Sequence, residues 1–115
     1  MEEGKVKKDK EDLKGRVLEA AALVDYQAGA VVSREVLRGE KGTVTVFSFD
    51  EGQGLSEHTA PFDATVLILD GEAEVAIGGE PLRLAAGDMV IMPANVSHAL
   101  SALQRFKMML IMIRA

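Results

Sequence analysis

Residues 64–77 read ATVLILDGEAEVAI, two β-rich runs on either side of an Asp70-Gly71 pair. Val, Ile and Thr are stiff at χ1 and suit a pleated surface better than a helical turn. Asp-Gly between such runs is a strong hairpin signal, because glycine takes the positive φ that a primed turn demands. The stretch therefore predicts two antiparallel strands joined at Gly71. The same pattern extends in both directions. Upstream, VVSREVL and TVTVFSF are separated by RGEKG and followed by DEGQG. Downstream, GGEP turns the chain, LRL is a brief strand, AAGD turns again, and MVIMPANVSHAL runs into a proline-marked corner before FKMMLIMIR. Short strands at this spacing, with no sustained helical period, predict an all-β antiparallel sandwich or barrel of some eight to ten strands.

Outside this region the chain changes character. Residues 1–16 carry charges nearly every other position and few apolar anchors, so they read as a flexible charged tail, with a single domain over 17–115. VLEAAALVDY, residues 17–26, fits a short helix or an edge strand. The 115 residues are enough to bury roughly two-thirds of the unfolded surface. A net charge of −5 argues against a nucleic-acid partner, and the one basic cluster, KVKKDK, is interrupted by Asp and flanked by Glu. There is no cysteine for disulfide or thiolate chemistry. No apolar stretch approaches the length of a membrane span or a signal peptide, which makes the cytoplasm the default compartment.

Two strands are apolar on both faces. Val66 and Ile68 alternate with Leu67 and Leu69, and Phe106, Met108, Leu110 and Met112 alternate with Met109, Ile111 and Ile113. A strand buried on both sides needs cover, either from the N-terminal segment folded back over the sheet or from a second subunit. The reading taken is a homodimer.

Two segments then carry a family resemblance. GQGLSEHTAPFDATVLILDG, residues 52–71, resembles the first motif of the cupins: Gly, five residues, His-x-His, three residues, Glu, six residues, Gly. GDMVIMPANVSHAL, residues 87–100, resembles the second, in which Gly-Asp precedes a strand, a proline corner and a histidine; Asn95 stands at the corner glycine. The resemblance spans about Thr43 to Leu103. It implies a double-stranded β-helix, a jelly-roll barrel with its ligand site inside. In metal-binding cupins these motifs supply three histidines and a glutamate. Transferred to this chain, those positions are His58, Ala60, Ala64 and His98, so half of the donor set is missing.

The site expectations follow from that deficit. His58 and His98 should share one cavity, with Phe47, Met92 and Met108 as apolar candidates beside them. Two neutral imidazoles hold a divalent transition metal (Zn, Ni, Fe or Mn) weakly or not at all, unless a bulge near Pro61 turns Asp63 inward as a third ligand. The missing donors favour a binding module for a small molecule over a metal-dependent cupin enzyme, of dioxygenase or isomerase type, acting on a small carbonyl or carboxylate compound.

Overall fold

The structure, a computed structural model, describes residues 12–114. Among these residues seven strands form one antiparallel sheet closed into a jelly-roll barrel: β1 (Val31–Gly39), β2 (Gly42–Phe49), β3 (Gly54–His58), β4 (Asp63–Ile77), β5 (Glu80–Ala85), β6 (Met89–Met92) and β7 (His98–Ile113). The backbone order is β1-β2-β7-β4-β5, with β3 added to β7 and β6 to β4. The fold class is the one expected, with fewer and longer strands.

The strand count falls because Asp70-Gly71 does not turn the chain. β4 runs for 15 residues straight through the pair, and β7 runs for 16 residues beside it. Their register shifts between Ile68 and Asp70 and again between Gly71 and Ala73. Gly71 has φ +78°, the left-handed value expected for a hairpin, but uses it in a bulge. A β-carbon there would strike the Arg105 carbonyl oxygen and come within 2.8 Å of the Phe106 Cα. A bulge and a primed turn make the same demand on glycine, and only the pairing partner distinguishes them.

Each long strand thus serves both halves of the barrel. Residues 63–68 of β4 pair with 108–113 of β7 and with β6, whereas residues 72–77 pair with 98–102 of β7 and with β5. Inward residues alternate along both strands: Ala64, Val66 and Ile68, then Ala73 and Val75, facing Leu100, Ala102, Phe106 and Met108. Phe49 and Phe106 stack at 4.5 Å near the bulge and anchor this core.

The outer face is covered in part by the chain itself. Among the described residues before β1, a 3-10 turn at Ala20–Ala22 lies against β4 and β7. Its carbonyl groups accept hydrogen bonds from the sheet: Ser48 Oγ donates to Asp25 O at 2.8 Å and Lys107 Nζ to Ala21 O at 2.6 Å. Tyr26 donates its hydroxyl to Asp70 Oδ2 at 2.6 Å, and burial together with this carboxylate pushes the phenol pKa far up. Val46 and Ser48 are fully buried beneath this strap. Beyond it, Met89, Ile91 and Ile113 remain exposed. The tail expected over 1–16 falls mainly on residues 1–11, outside those described; Leu13 is already buried. Among the described residues no helix is long and apolar enough to cross a membrane.

Candidate functional site

The site lies where the end of β3 meets the start of β7. Pairing sets His58 directly opposite His98, so both side chains fall on the same face. Register is irregular between Leu55 and His58, and the extra residue in β3 lets both of them line the same cavity. His98 is 4 % exposed, whereas His58 is exposed to solvent. Two loops close the mouth. Asn95 donates its N–H to Ala60 O at 2.8 Å, and Ala94 N–H donates to Asp63 Oδ1 at 2.9 Å. Asn95 takes φ +66° at the corner where the motif has glycine.

The rings touch edge to face, with centroids 4.4 Å apart and their Nε2 atoms 3.2 Å apart. Each Nδ1 faces a backbone carbonyl two residues earlier: His58 Nδ1 to Ser56 O at 2.7 Å and His98 Nδ1 to Val96 O at 3.3 Å. Burial, followed by the neighbouring His58, lowers the His98 pKa below the ordinary imidazole value, favouring the neutral ring.

Behind the rings is a cavity of about 50 Å³. Met92, Met108 and Met112 line it, with Leu55, Leu100 and Leu110, and Ala60 and Ala64 complete the wall. Ala64 pairs with Met92 on one side and Met112 on the other, so its small side chain leaves room between two thioethers. The structure therefore brings His58, His98, Met92 and Met108 to one space. Leu55, Leu100 and Leu110 were not singled out in the sequence, although Leu100 and Leu110 each stand two residues from a candidate in a strand of period two.

Phe47 lies elsewhere. It is opposite Met108 in register, but its ring stacks on Phe49 at 5.8 Å, one strand removed from the imidazoles. Asp63 does not turn inward, because its carboxylate is engaged by the Ala94 N–H. Ser97 points away from His98 and donates to Glu57 Oε2 at 3.0 Å. A larger open groove of about 480 Å³ between the β1–β2 turn and Ile111–Ile113 has neither ring in its lining.

The divalent metal site of the resembling family does not fit these residues. Alanine at 60 and 64 offers no lone pair, and no group of three or more His, Cys, Asp or Glu among the described residues could hold a metal ion. Comparison with known proteins places the chain all the same. The cupin domain profile matches residues 45–114. A conserved protein of unknown function from Streptococcus pyogenes is 37 % identical, with 88 % of this chain and 89 % of that one aligned at a TM-score of 0.84. A cupin superfamily protein from Desulfitobacterium hafniense is 29 % identical, with 89 % and 94 % aligned at 0.83. A cupin 2 conserved barrel domain protein from Leptotrichia buccalis is 37 % identical over 82 % of this chain but only 46 % of its own, at 0.79. No match was found among curated proteins. With the profile covering more than half its length, the chain belongs to the cupin family.

Proposed function

We propose that this cupin is a binding module rather than a catalyst, and that it takes a ligand of a few heavy atoms into the cavity behind His58 and His98. One observation carries the reading: two Nε2 atoms, 3.2 Å apart, stand at one wall of an otherwise apolar space. Ligand pockets combine an apolar lining with a few polar groups that fix orientation, and here the imidazoles are those groups. About 50 Å³ limits the occupant to something far smaller than a sugar or a nucleotide. The alternative, a metal-dependent enzyme for a small carbonyl or carboxylate compound, needs donors that Ala60 and Ala64 cannot provide. We also propose a homodimer formed through the uncovered outer face, where Met89, Leu67 and Met109 form one cross-strand row and Ile91 and Ile111 flank Thr65 in the next.

The test of ligand binding follows the ring signals of His58 and His98 by NMR during titration with formate, acetate, acetamide and pyruvate. At least one should shift the His98 signals saturably, and the shift should be lost in His58→Ala. If none moves either ring, the cavity is packing and the proposal fails.

A further inference from the structure

One half of the barrel presents an apolar outer face whose rows are set by strand register. Leu37, Val44, Ile111, Thr65 and Ile91 stand side by side across β1, β2, β7, β4 and β6, and Val46, Met109, Leu67 and Met89 form the next row. From β2 to β6 neither row holds a charge. The outer face of the other half is polar, with Ser101, Glu74 and Arg83 in one cross-strand row. A chain of net charge −5 repels its own copies unless they meet where charge is absent, and the apolar face is such a place. Val46, buried beneath the strap, marks where that face ends.

The face has a hollow and a ridge. In the row beyond Val44, Gly39 and Gly42 lie beside Ile113 and carry no side chain. They leave the open groove of about 480 Å³, with Leu37, Val44, Ile111 and Ile113 as its apolar lining. Glycine is required at 42, because a β-carbon there would strike the Met112 carbonyl oxygen. Arg38 also lines the groove, but its charge is matched within the chain by Glu35 at 2.7 Å. At the opposite edge of the face the four-residue β6 raises Met89 and Ile91, 62 % and 58 % exposed.

Three strand spacings of about 4.8 Å, roughly 14 Å in all, separate β2 from β6. Ridge and groove therefore cannot meet within one chain, but they can meet between two. Turning one copy by 180° about an axis that runs along the strands, between β7 and β4, brings its β6 over β2 of the other and keeps the rows level. Ile91 of each copy then lies over Val44 of the other, in the groove, while Met109 lies over Leu67 and Ile111 over Thr65. A two-fold contact closes in this way, because each surface receives what it also offers. An axis across the strands would set ridge on ridge and groove on groove. That arrangement holds the sheets apart over two unfilled grooves, against the close packing that stable interfaces share with protein interiors.

We propose that the groove between the β1–β2 turn and Ile113 is the seat for the Met89–Ile91 ridge of a second copy, in a two-fold dimer whose axis runs along β4 and β7. The inference rests on the homodimer read above and fixes which surfaces of the two copies meet.

The absence of cysteine makes the test direct. The full chain is prepared as Val44→Cys, as Ile91→Cys and as the double variant. Each is treated with copper phenanthroline, or with a short bis-maleimide, at micromolar concentration and run on a denaturing gel, and each reduced protein is also taken to sedimentation equilibrium. The double variant should be trapped as a covalent dimer at least tenfold more efficiently than either single variant. In a second arm, Ile91→Lys should weaken the dimer at least 100-fold, and adding Val44→Asp should restore at least tenfold of that loss, since each new lysine then faces an aspartate of the other copy. If Ile91→Cys alone is trapped as well as the double variant, or if a dimeric double variant is trapped by neither reagent, or if Val44→Asp restores nothing, the seat is wrong while the dimer stands. If the natural and reduced proteins sediment as single chains, the dimer and the seat fall together.

Discussion

Gly71 offers the sharpest test of how this barrel is held together. Its φ of +78° is one that L side chains adopt at a cost of about 1–2 kcal/mol. Gly52 has nearly the same backbone, φ +84°, in the loop between β2 and β3, where an added β-carbon would meet nothing within 4 Å. At Gly71 the same atom strikes the β7 backbone at Arg105 and Phe106, which cannot yield without disturbing the stacked Phe49–Phe106 pair. Gly52→Ala therefore isolates the conformational cost, and Gly71→Ala adds a steric cost of about 1–3 kcal/mol to it. The expected losses are about 1–2 kcal/mol for Gly52→Ala and about 2–5 kcal/mol for Gly71→Ala. In a domain of this length the difference separates the two melting temperatures by roughly 5–15 °C. Urea unfolding followed by circular dichroism, with a shared m-value, measures both losses. Equal losses for the two variants would refute the argument that close approach of β4 to β7, rather than backbone angle alone, makes glycine obligatory at 71.

Three further outcomes are expected. The His98 pKa is lowered by burial and by His58, so its contribution to stability is full above the unfolded value of about 6.5 and is lost as pH falls through the folded one. Stability should therefore drop more between pH 7 and pH 5 in the natural protein than in His98→Leu, and identical slopes in urea melts would count against this. Ala60→His with Ala64→Glu puts two donors on the cavity wall and should raise zinc affinity by about 100-fold or more, at some cost to the metal-free protein, as read by calorimetry and thermal melting. Sedimentation equilibrium at micromolar concentration should give twice the chain mass, and Met89→Lys with Ile91→Lys should give the monomer; a natural protein that stays monomeric would remove the dimer.

The fold class was legible because β-branched residues, glycine turns and two spaced motifs agree with one another. The number of strands was not. Asp70-Gly71 satisfies a hairpin and a bulge equally, and the choice depends on β7, which lies some thirty residues away in sequence. The cover for Val46 and Ser48 was equally ambiguous. Nothing local in VLEAAALVDY shows that its backbone carbonyls, rather than its apolar side chains, will take hydrogen bonds from Ser48 and Lys107. At the site, period-two alternation from His98 and Met108 reaches Leu100, Leu110 and Met112. It places Phe47 on the correct face and cannot tell that the ring leans on Phe49. Asp63 shows the same limit, because its partner is a backbone N–H in a separate loop.

The pairing of β7 has a consequence for how the chain is made. β2, β3 and β4 all take β7 as a neighbour, and all three are synthesised before it. Until residues 98–113 leave the ribosome, each of these strands presents an unpaired edge, and the core faces of β2 and β4 lack Leu100, Ala102, Phe106 and Met108. The nascent protein therefore waits in an aggregation-prone state, and then pays loop closure over long distances before any of those contacts rewards it. Barrel closure is consequently a late and largely single event, and a ribosome stalled before His98 should hold a chain that proteases cut freely.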